Sequence, residues 1–106
     1  MLQFERRQNQ LLVRLAGELT FFNSTETKEK IKEQIRGDEE RLILDVSGLE
    51  MIDSSGVGVI ISLLKKLDGK DLILVAPQPK IARVFEITRI NQIVPILPSL
   101  DHLNRL

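Results

Sequence analysis

The chain has 106 residues, 42% hydrophobic and 28% charged, which predicts one folded domain with its own core rather than a disordered chain. Fifteen basic and fifteen acidic residues cancel, so no net field attracts nucleic acid or an anionic membrane. The N-terminal residues lack the apolar run of a signal peptide, no apolar stretch approaches the ~20 residues that span a bilayer, and cysteine is absent. We therefore expect a cytoplasmic protein without membrane insertion.

The first segment predicts a hairpin. Two short strands, Leu2 to Arg7 and Leu11 to Ala16, flank a linker of hairpin length, and Gly17 is expected to end the second strand.

A polar helix and a buried strand follow. Asn23, with Glu26 three residues later, is a variant of the capping box and predicts a helix that runs to about Arg36. Gly37 suits the position just after that helix. After its first residue, Arg41 to Val46 is an apolar run interrupted only by Asp45, which is typical of a central strand, and a short turn should follow it.

A second helix is predicted from about Ser54 to Leu67, because apolar residues recur along one stripe. That stripe consists of Val57, Ile60, Ile61, Leu64 and Leu67. Gly58 and Ser62 fall on the opposite face, and Asp68-Gly69 ends the helix.

The C-terminal third continues the alternation. Asp71 to Val75 is an apolar strand, a helix is expected from Pro79 through Thr88, and Val94 to Leu97 predicts a short edge strand because Pro95 cannot donate a hydrogen bond. The inner face of the helix should comprise Ile81, Val84, Phe85 and either Ile87 or Thr88.

Ser99 is expected to cap a final helical piece at the C-terminus. Its inward residues would be Leu100, Leu103 and Leu106. Strands alternating with helices imply an α/β domain with parallel crossovers after the hairpin.

The stretch Asp53-Ser54-Ser55-Gly56 places two hydroxyls at a predicted helix start. Unpaired N–H groups and the helix dipole favour negative charge there. The serines could cap the helix, carry out chemistry or receive a phosphate.

The sequence lacks the residue patterns that hydrolases, nucleotide-binding enzymes and metalloenzymes require. The only histidine, His102, is expected to be a solvated side chain near the C-terminus rather than the base of a serine hydrolase. No Gly-x-x-x-x-Gly-Lys phosphate loop is present, and one histidine without cysteine leaves few metal ligands. Asp45 lies inside a strand rather than at its tip, which disfavours a phospho-accepting aspartate. We expect no catalytic residue, no metal and no cofactor.

Capping, which we expect from Asp53 or Ser55, contributes ~1 kcal/mol and explains one polar residue at the helix start. It does not explain three polar residues followed by Gly-Val-Gly. A glycine inside a helix costs about 1 kcal/mol relative to alanine. An exposed Gly58 beside Val59 would permit close approach by another backbone, which indicates a contact surface.

The segment from Leu42 to Ile60, LILDVSGLEMIDSSGVGVI, resembles the core of STAS domains, specifically bacterial anti-sigma factor antagonists. Gly17-Glu18-Leu19 and Val84-Phe85-Glu86-Ile87-Thr88 extend the resemblance over nearly the whole chain. It implies a single STAS-type domain, a small mixed sheet with an N-terminal hairpin and helices packed against it.

The resemblance also implies a switch rather than an enzyme. An unphosphorylated family member binds an anti-sigma factor that is also a serine kinase, and so releases the sigma factor. The phosphoacceptor is the residue directly after the motif's aspartate, here Ser54, with Ser55 as second choice. A metal-dependent serine phosphatase restores the binding form. The expected partners are this kinase and this phosphatase, and the protein should be a monomer or weak dimer.

The expected partner-binding residues are Thr20, Asn23, Asp53, Ser55, Gly56, Gly58, Val59 and Ser62. Thr20 stands where many relatives carry aspartate, and the loss of this carboxylate is expected to alter which kinase docks. Phe21 and Phe22 are either core anchors or partner contacts, and Arg89 replaces a common glycine. Two alternatives stay open: a non-switching STAS subunit of a lipid-transport complex or stress-signalling scaffold, and nucleotide hydrolysis by the domain itself.

Overall fold

The computed structural model describes the backbone of residues 2–105 and the side chains of residues 2–103. Its strands are β1 (Leu2–Arg7), β2 (Gln10–Leu19), β3 (Arg41–Ile52), β4 (Asp71–Val75) and β5 (Ile96–Leu97). Its helices are α1 (Ser24–Gln34), α2 (Ser54–Leu67) and α3 (Pro79–Ile87), with 3-10 segments at Ile90–Gln92 and Leu100–Arg105. No helix among the described residues has the length and apolarity to cross a bilayer.

The five strands form one mixed sheet in the order β1-β2-β3-β4-β5. β1 and β2 pair antiparallel, and each later pair is parallel. Parallel neighbours need crossover connections, which the helices supply. The α/β class and the mixed sheet with an N-terminal hairpin are therefore confirmed.

Alternating strand residues face two separate apolar clusters, as the two-residue period of a strand requires. The larger cluster packs the three helices on one face of the sheet and contains Val13, Leu44, Ile31, Ile60 and Phe85 at its centre. The smaller cluster lies on the other face, where Leu100 and Leu103 of the C-terminal 3-10 segment contact it. These two leucines point inward as expected, and Leu106 lies outside the described residues.

β2 and β3 are both longer than the sequence predicted. Gly17 does not end β2, which continues to Leu19. Gly17 instead adopts φ +85° next to a shift in the register between β2 and β3. β3 likewise continues past Val46 to Ile52, through Ser47-Gly48, where a turn was expected. The register shifts accommodate these turn-like residues, and the hydrogen-bonded pairing of β2 with β3 continues beyond them. The extension pairs Leu19 with Ile52 and carries both strand ends to the start of α2.

Helix bounds were predicted better than helix faces. α2 begins and ends as expected, with Asp68 left-handed at its C-cap, but Val59 and Leu63 are buried whereas Ile61 and Leu64 are half-buried. The stripe is rotated because α2 packs against α1 as well as against the sheet.

In α3 both candidates for the last inner position, Ile87 and Thr88, are exposed, and Ile90 after the helix is buried instead. The chain turns at Arg89, whose φ of +63° is a conformation that favours glycine. This explains why the resemblance expects glycine there.

The connection from α1 to β3 is held by Glu39, a residue that the sequence did not distinguish. α1 ends at Gln34, two residues earlier than predicted. The buried carboxylate of Glu39 accepts hydrogen bonds from Arg6 Nη1 at 2.6 Å, Arg36 N at 2.7 Å and Gly37 N at 2.8 Å. Burial alone raises the pKa of Glu39, but these hydrogen bonds together outweigh it and lower the pKa to about 2.

Glu39→Gln should lower the free energy of unfolding by about 1–3 kcal/mol near neutral pH, because a neutral amide cannot accept all three bonds. The folded-state pKa of about 2 lies below the ordinary value of 4.5. The stabilisation is therefore complete above pH 4.5 and is lost as the pH falls towards 2. Urea unfolding at about pH 7 and about pH 2.5 measures both effects.

Glu40→Gln is the matched control, since the neighbouring Glu40 side chain is exposed. An equal loss in the two variants, or a Glu39→Gln deficit that stays constant at low pH, would contradict this account.

Candidate functional site

The site lies where the ends of β2 and β3 meet the start of α2. Leu19 and Ile52 are paired, and the backbone N–H of Asp53 donates to the Leu19 carbonyl oxygen at 3.4 Å. Loops at this edge of a parallel sheet are the usual location of functional residues in α/β folds. The β2–α1 loop and the first turn of α2 are thereby held side by side.

Asp53 is the N-cap of α2 and has extended backbone angles of φ −117° and ψ −172°. Its Oδ1 accepts from Gly56 N at 3.1 Å, and its Oδ2 accepts from Phe21 N at 2.9 Å. The Phe21 N–H is the main cause that lowers the pKa of the Asp53 carboxyl, and the Gly56 N–H adds to it. Asp53 thus performs the capping that was expected of Asp53 or Ser55.

The two serines have different surroundings. Ser54 is the first residue of α2 and is exposed, whereas Ser55 is half-buried. Ser55 lines a shallow groove between α1 and α2 together with Ser24, Thr25, Lys28, Gly58, Val59 and Ser62. Lys28 is the one charged residue of this groove. The sequence did not predict its place there, because α1 carries several other charged residues that look the same in the pattern.

Gly56 and Val59 are not surface residues, contrary to their expected place in a partner-binding surface. Gly56 is buried, and a Cβ on it would lie 2.4 Å from the Leu19 carbonyl oxygen and 2.6 Å from Ile52 Cγ1. Val59 is 4% exposed and belongs to the core, although it borders the groove. Gly58 is exposed as expected, and a Cβ there would meet nothing within 4 Å.

Thr20 and Asn23 shape the loop between β2 and α1. Thr20 is buried, contrary to its expected place in a partner-binding surface. Its carbonyl oxygen accepts from Ser24 N at 2.8 Å, and its hydroxyl accepts from Phe22 N at 3.4 Å. The Asn23 side chain accepts from Thr20 N at 2.9 Å and donates to the Glu18 carbonyl oxygen at 2.8 Å. Asn23 occupies the N-cap position of α1 without a side-chain cap bond, so the predicted capping box does not form.

Phe21 and Phe22 are 75% and 93% exposed, so the core-anchor alternative is wrong. Their rings stand edge to face, with centroids 6.0 Å apart and an interplanar angle of 76°. The sequence could not decide this, because the position of the loop depends on the extended β2.

The residues weighed for catalysis lie elsewhere. His102 belongs to the C-terminal segment, and it is half-buried, with Nδ1 2.9 Å from Ser99 Oγ, rather than fully solvated. Ser99 therefore contacts this ring, while its carbonyl oxygen accepts from His102 N. Asp45 is buried within β3, where it accepts from Ser47 N at 3.0 Å and lies 3.7 Å from Arg14 Nε. Among the described residues, no group of three histidine or acidic side chains is placed to hold a metal ion.

Comparison with known proteins agrees with this architecture. The family model of the STAS domain matches residues 1–103. The anti-sigma F factor antagonist of Paenibacillus polymyxa is 29% identical over 98 residues, which cover 90% of this chain and 84% of that protein. The crystal structure of a candidate anti-sigma factor antagonist from Thermotoga maritima has a TM-score of 0.90 at 25% identity and covers 98% of this chain and 92% of its own. The Bacillus cell fate determinant SpoIIAA in its phosphorylated form has a TM-score of 0.74 at 25% identity, covering 99% and 98%.

Two glycines of α2 offer a matched test of the site's packing. Gly56→Ala should lower the free energy of unfolding by about 1–3 kcal/mol, because its Cβ would collide with the backbone of Leu19. Gly58→Ala should raise it by about 0.5–1 kcal/mol, since the helix is favoured and no atom is displaced. Urea unfolding of both variants measures the difference. A Gly56→Ala protein as stable as the unmodified chain would contradict the close packing.

Proposed function

The chain belongs to the STAS domain family, and we propose that it is an anti-sigma factor antagonist controlled by phosphorylation of Ser54. In its unphosphorylated form it binds an anti-sigma factor that is also a serine kinase, and the sigma factor is released. The kinase transfers the γ-phosphoryl group of ATP to Ser54 Oγ, which forms the O–P bond and releases ADP and a proton. A metal-dependent serine phosphatase reverses this step, with water as the second substrate and inorganic phosphate as the product.

The observation that carries the proposal is that Asp53, and not Ser54, caps α2. Asp53 supplies the cap of α2, so the Ser54 hydroxyl is exposed on the first residue of the helix without being needed for the cap. A kinase needs an accessible hydroxyl, and Ser54 meets this requirement better than the half-buried Ser55. The names of the relatives and the existence of SpoIIAA in a phosphorylated form support the same reading.

The switch acts on a docking surface that we define as Phe21, Phe22, Ser54, Gly58 and Ser62. Phosphorylation adds about −1.5 to −2 charges and three acceptor oxygens. At a helix N-terminus this charge is compatible with the fold. A partner fitted to a neutral hydroxyl must instead desolvate or repel the charge, so affinity falls while the domain stays folded. Gly56 and Val59 support this surface from beneath, since both are buried.

Incubation with the cognate kinase and ATP, followed by mass spectrometry of the digested protein, tests the phosphoacceptor. We expect one phosphate, on Ser54, and at least about a 100-fold slower incorporation into Ser54→Ala, because the acceptor oxygen is gone. Ser55→Ala is the matched control and should retain most of the incorporation. Undiminished labelling of Ser54→Ala would overturn the assignment to Ser54. Stable association of Ser54→Asp with a transporter or scaffold would favour the non-switching subunit instead.

A further inference from the structure

The Asp53 carboxylate does more than an N-cap requires. One oxygen receives the N–H of Gly56, which is the ordinary capping bond, and the other receives the N–H of Phe21 from a different element. Serine caps helices as well as aspartate does, but a single short hydroxyl cannot reach both donors. Capping therefore accounts for only one of the two bonds.

The second bond holds a loop that carries two exposed aromatic rings. Residues 20–23, here called the aromatic loop, are tied to one another through the side chains of Thr20 and Asn23. The bond from Phe21 N to Asp53 joins the loop to the start of α2. Aromatic side chains contribute strongly to protein interfaces when they are held in place before binding. The position of Phe21 and Phe22 thus depends on a carboxylate adjacent to Ser54.

We propose that Asp53 is a positioning residue that holds the aromatic loop in its partner-binding arrangement, and that a phosphoryl group on Ser54 removes this hold. The inference rests on the proposed function, whose partner is the anti-sigma factor. It adds two apolar anchors, Phe21 and Phe22, and a route by which modification of one residue reaches them. The phosphoryl group then weakens binding twice, through its own charge and through the released loop.

The physical cause is competition at the start of α2. The phosphoryl oxygens are strong acceptors and lie one residue from Asp53, so they compete for the N–H groups of the first turn of α2, including the Gly56 N–H that now donates to Asp53. The phosphoryl charge also repels the neighbouring carboxylate. Once Asp53 turns away, the Phe21 N–H loses its charged acceptor, and the aromatic loop keeps its internal bonds and the bond from Asn23 to the Glu18 carbonyl oxygen, neither of which joins it to α2.

Amide hydrogen exchange tests the link without any partner. Three proteins are compared: the unmodified chain, the chain with phosphoserine introduced biosynthetically at position 54, and Asp53→Ser. We expect the Phe21 amide to exchange about 10-fold faster in the second and third proteins, while the amides of Ile60 and Leu63 within α2 keep their protection. Asp53→Ser retains a cap, so general unfolding is separated from loss of the second bond. Unchanged exchange at Phe21 in the phosphoserine protein would overturn the inference.

A binding cycle tests the role of the loop, with the same kinase-type anti-sigma factor used for phosphate mapping. Asp53→Ser should weaken binding about 10-fold in the unmodified chain. It should have little further effect in a Phe21→Ala/Phe22→Ala background, since the anchors are already gone. Equal losses in both backgrounds would contradict a positioning role for Asp53.

The two proposals fail in different ways. If phosphoserine at position 54 abolishes binding but leaves the Phe21 amide unchanged, the switch stands and the link through Asp53 is wrong. If Ser54 accepts no phosphate and Ser54→Asp binds like the unmodified chain, the switch itself is wrong, whatever the exchange data show.

Discussion

The close approach of Gly56 to the Leu19 carbonyl oxygen determines where every other part of the site lies. A side chain at position 56 would occupy the space of that oxygen, so only glycine lets α2 begin at the end of β2 without displacing the Leu19 backbone. The same carbonyl oxygen receives the N–H of Asp53, and the two contacts fix the first turn of the helix to the strand. This junction requires β2 and β3 to extend together to the same edge of the sheet. The packing of Gly56 against the Leu19 carbonyl oxygen therefore also fixes the position of the proposed phosphoacceptor, Ser54, at the start of α2.

The arrangement separates folding from modification. The residues that the fold needs here are buried or capping: Gly56, Val59, Thr20 and Asp53. Ser54, Gly58 and the two phenylalanines are exposed. Charge can be added to an exposed hydroxyl at a helix N-terminus without disturbing the core, because the helix dipole and the unpaired N–H groups accommodate it. An exposed glycine and exposed aromatic rings suit contact with another protein in the same region.

Local patterns predicted the elements, and the resemblance to STAS domains implied Ser54 as the phosphoacceptor candidate. Long-range contacts account for what the local patterns missed. α2 was placed correctly because its signals are adjacent in sequence: Asp53 at the start, an apolar stripe, and Asp68-Gly69 at the end. The lengths of β2 and β3 were underestimated because Gly17 and Ser47-Gly48 resemble turn residues, and only their mutual pairing shows that the strands continue. The bond between Phe21 and Asp53 spans 32 residues and depends on those extensions, so no local pattern could reveal it. For the same reason, the exposure of Phe21 and Phe22 was left undecided.

The central claim is that one phosphoryl group on Ser54 changes what this surface binds while the domain stays folded. Isothermal titration of the kinase-type anti-sigma factor into the unmodified chain and into the chain carrying phosphoserine at position 54 tests it most directly, with circular dichroism to verify that both are folded. The expected result is a Kd at least about 100-fold weaker for the phosphoserine protein, equivalent to roughly 3 kcal/mol of coupling. Equal affinities of the two folded proteins would contradict the account.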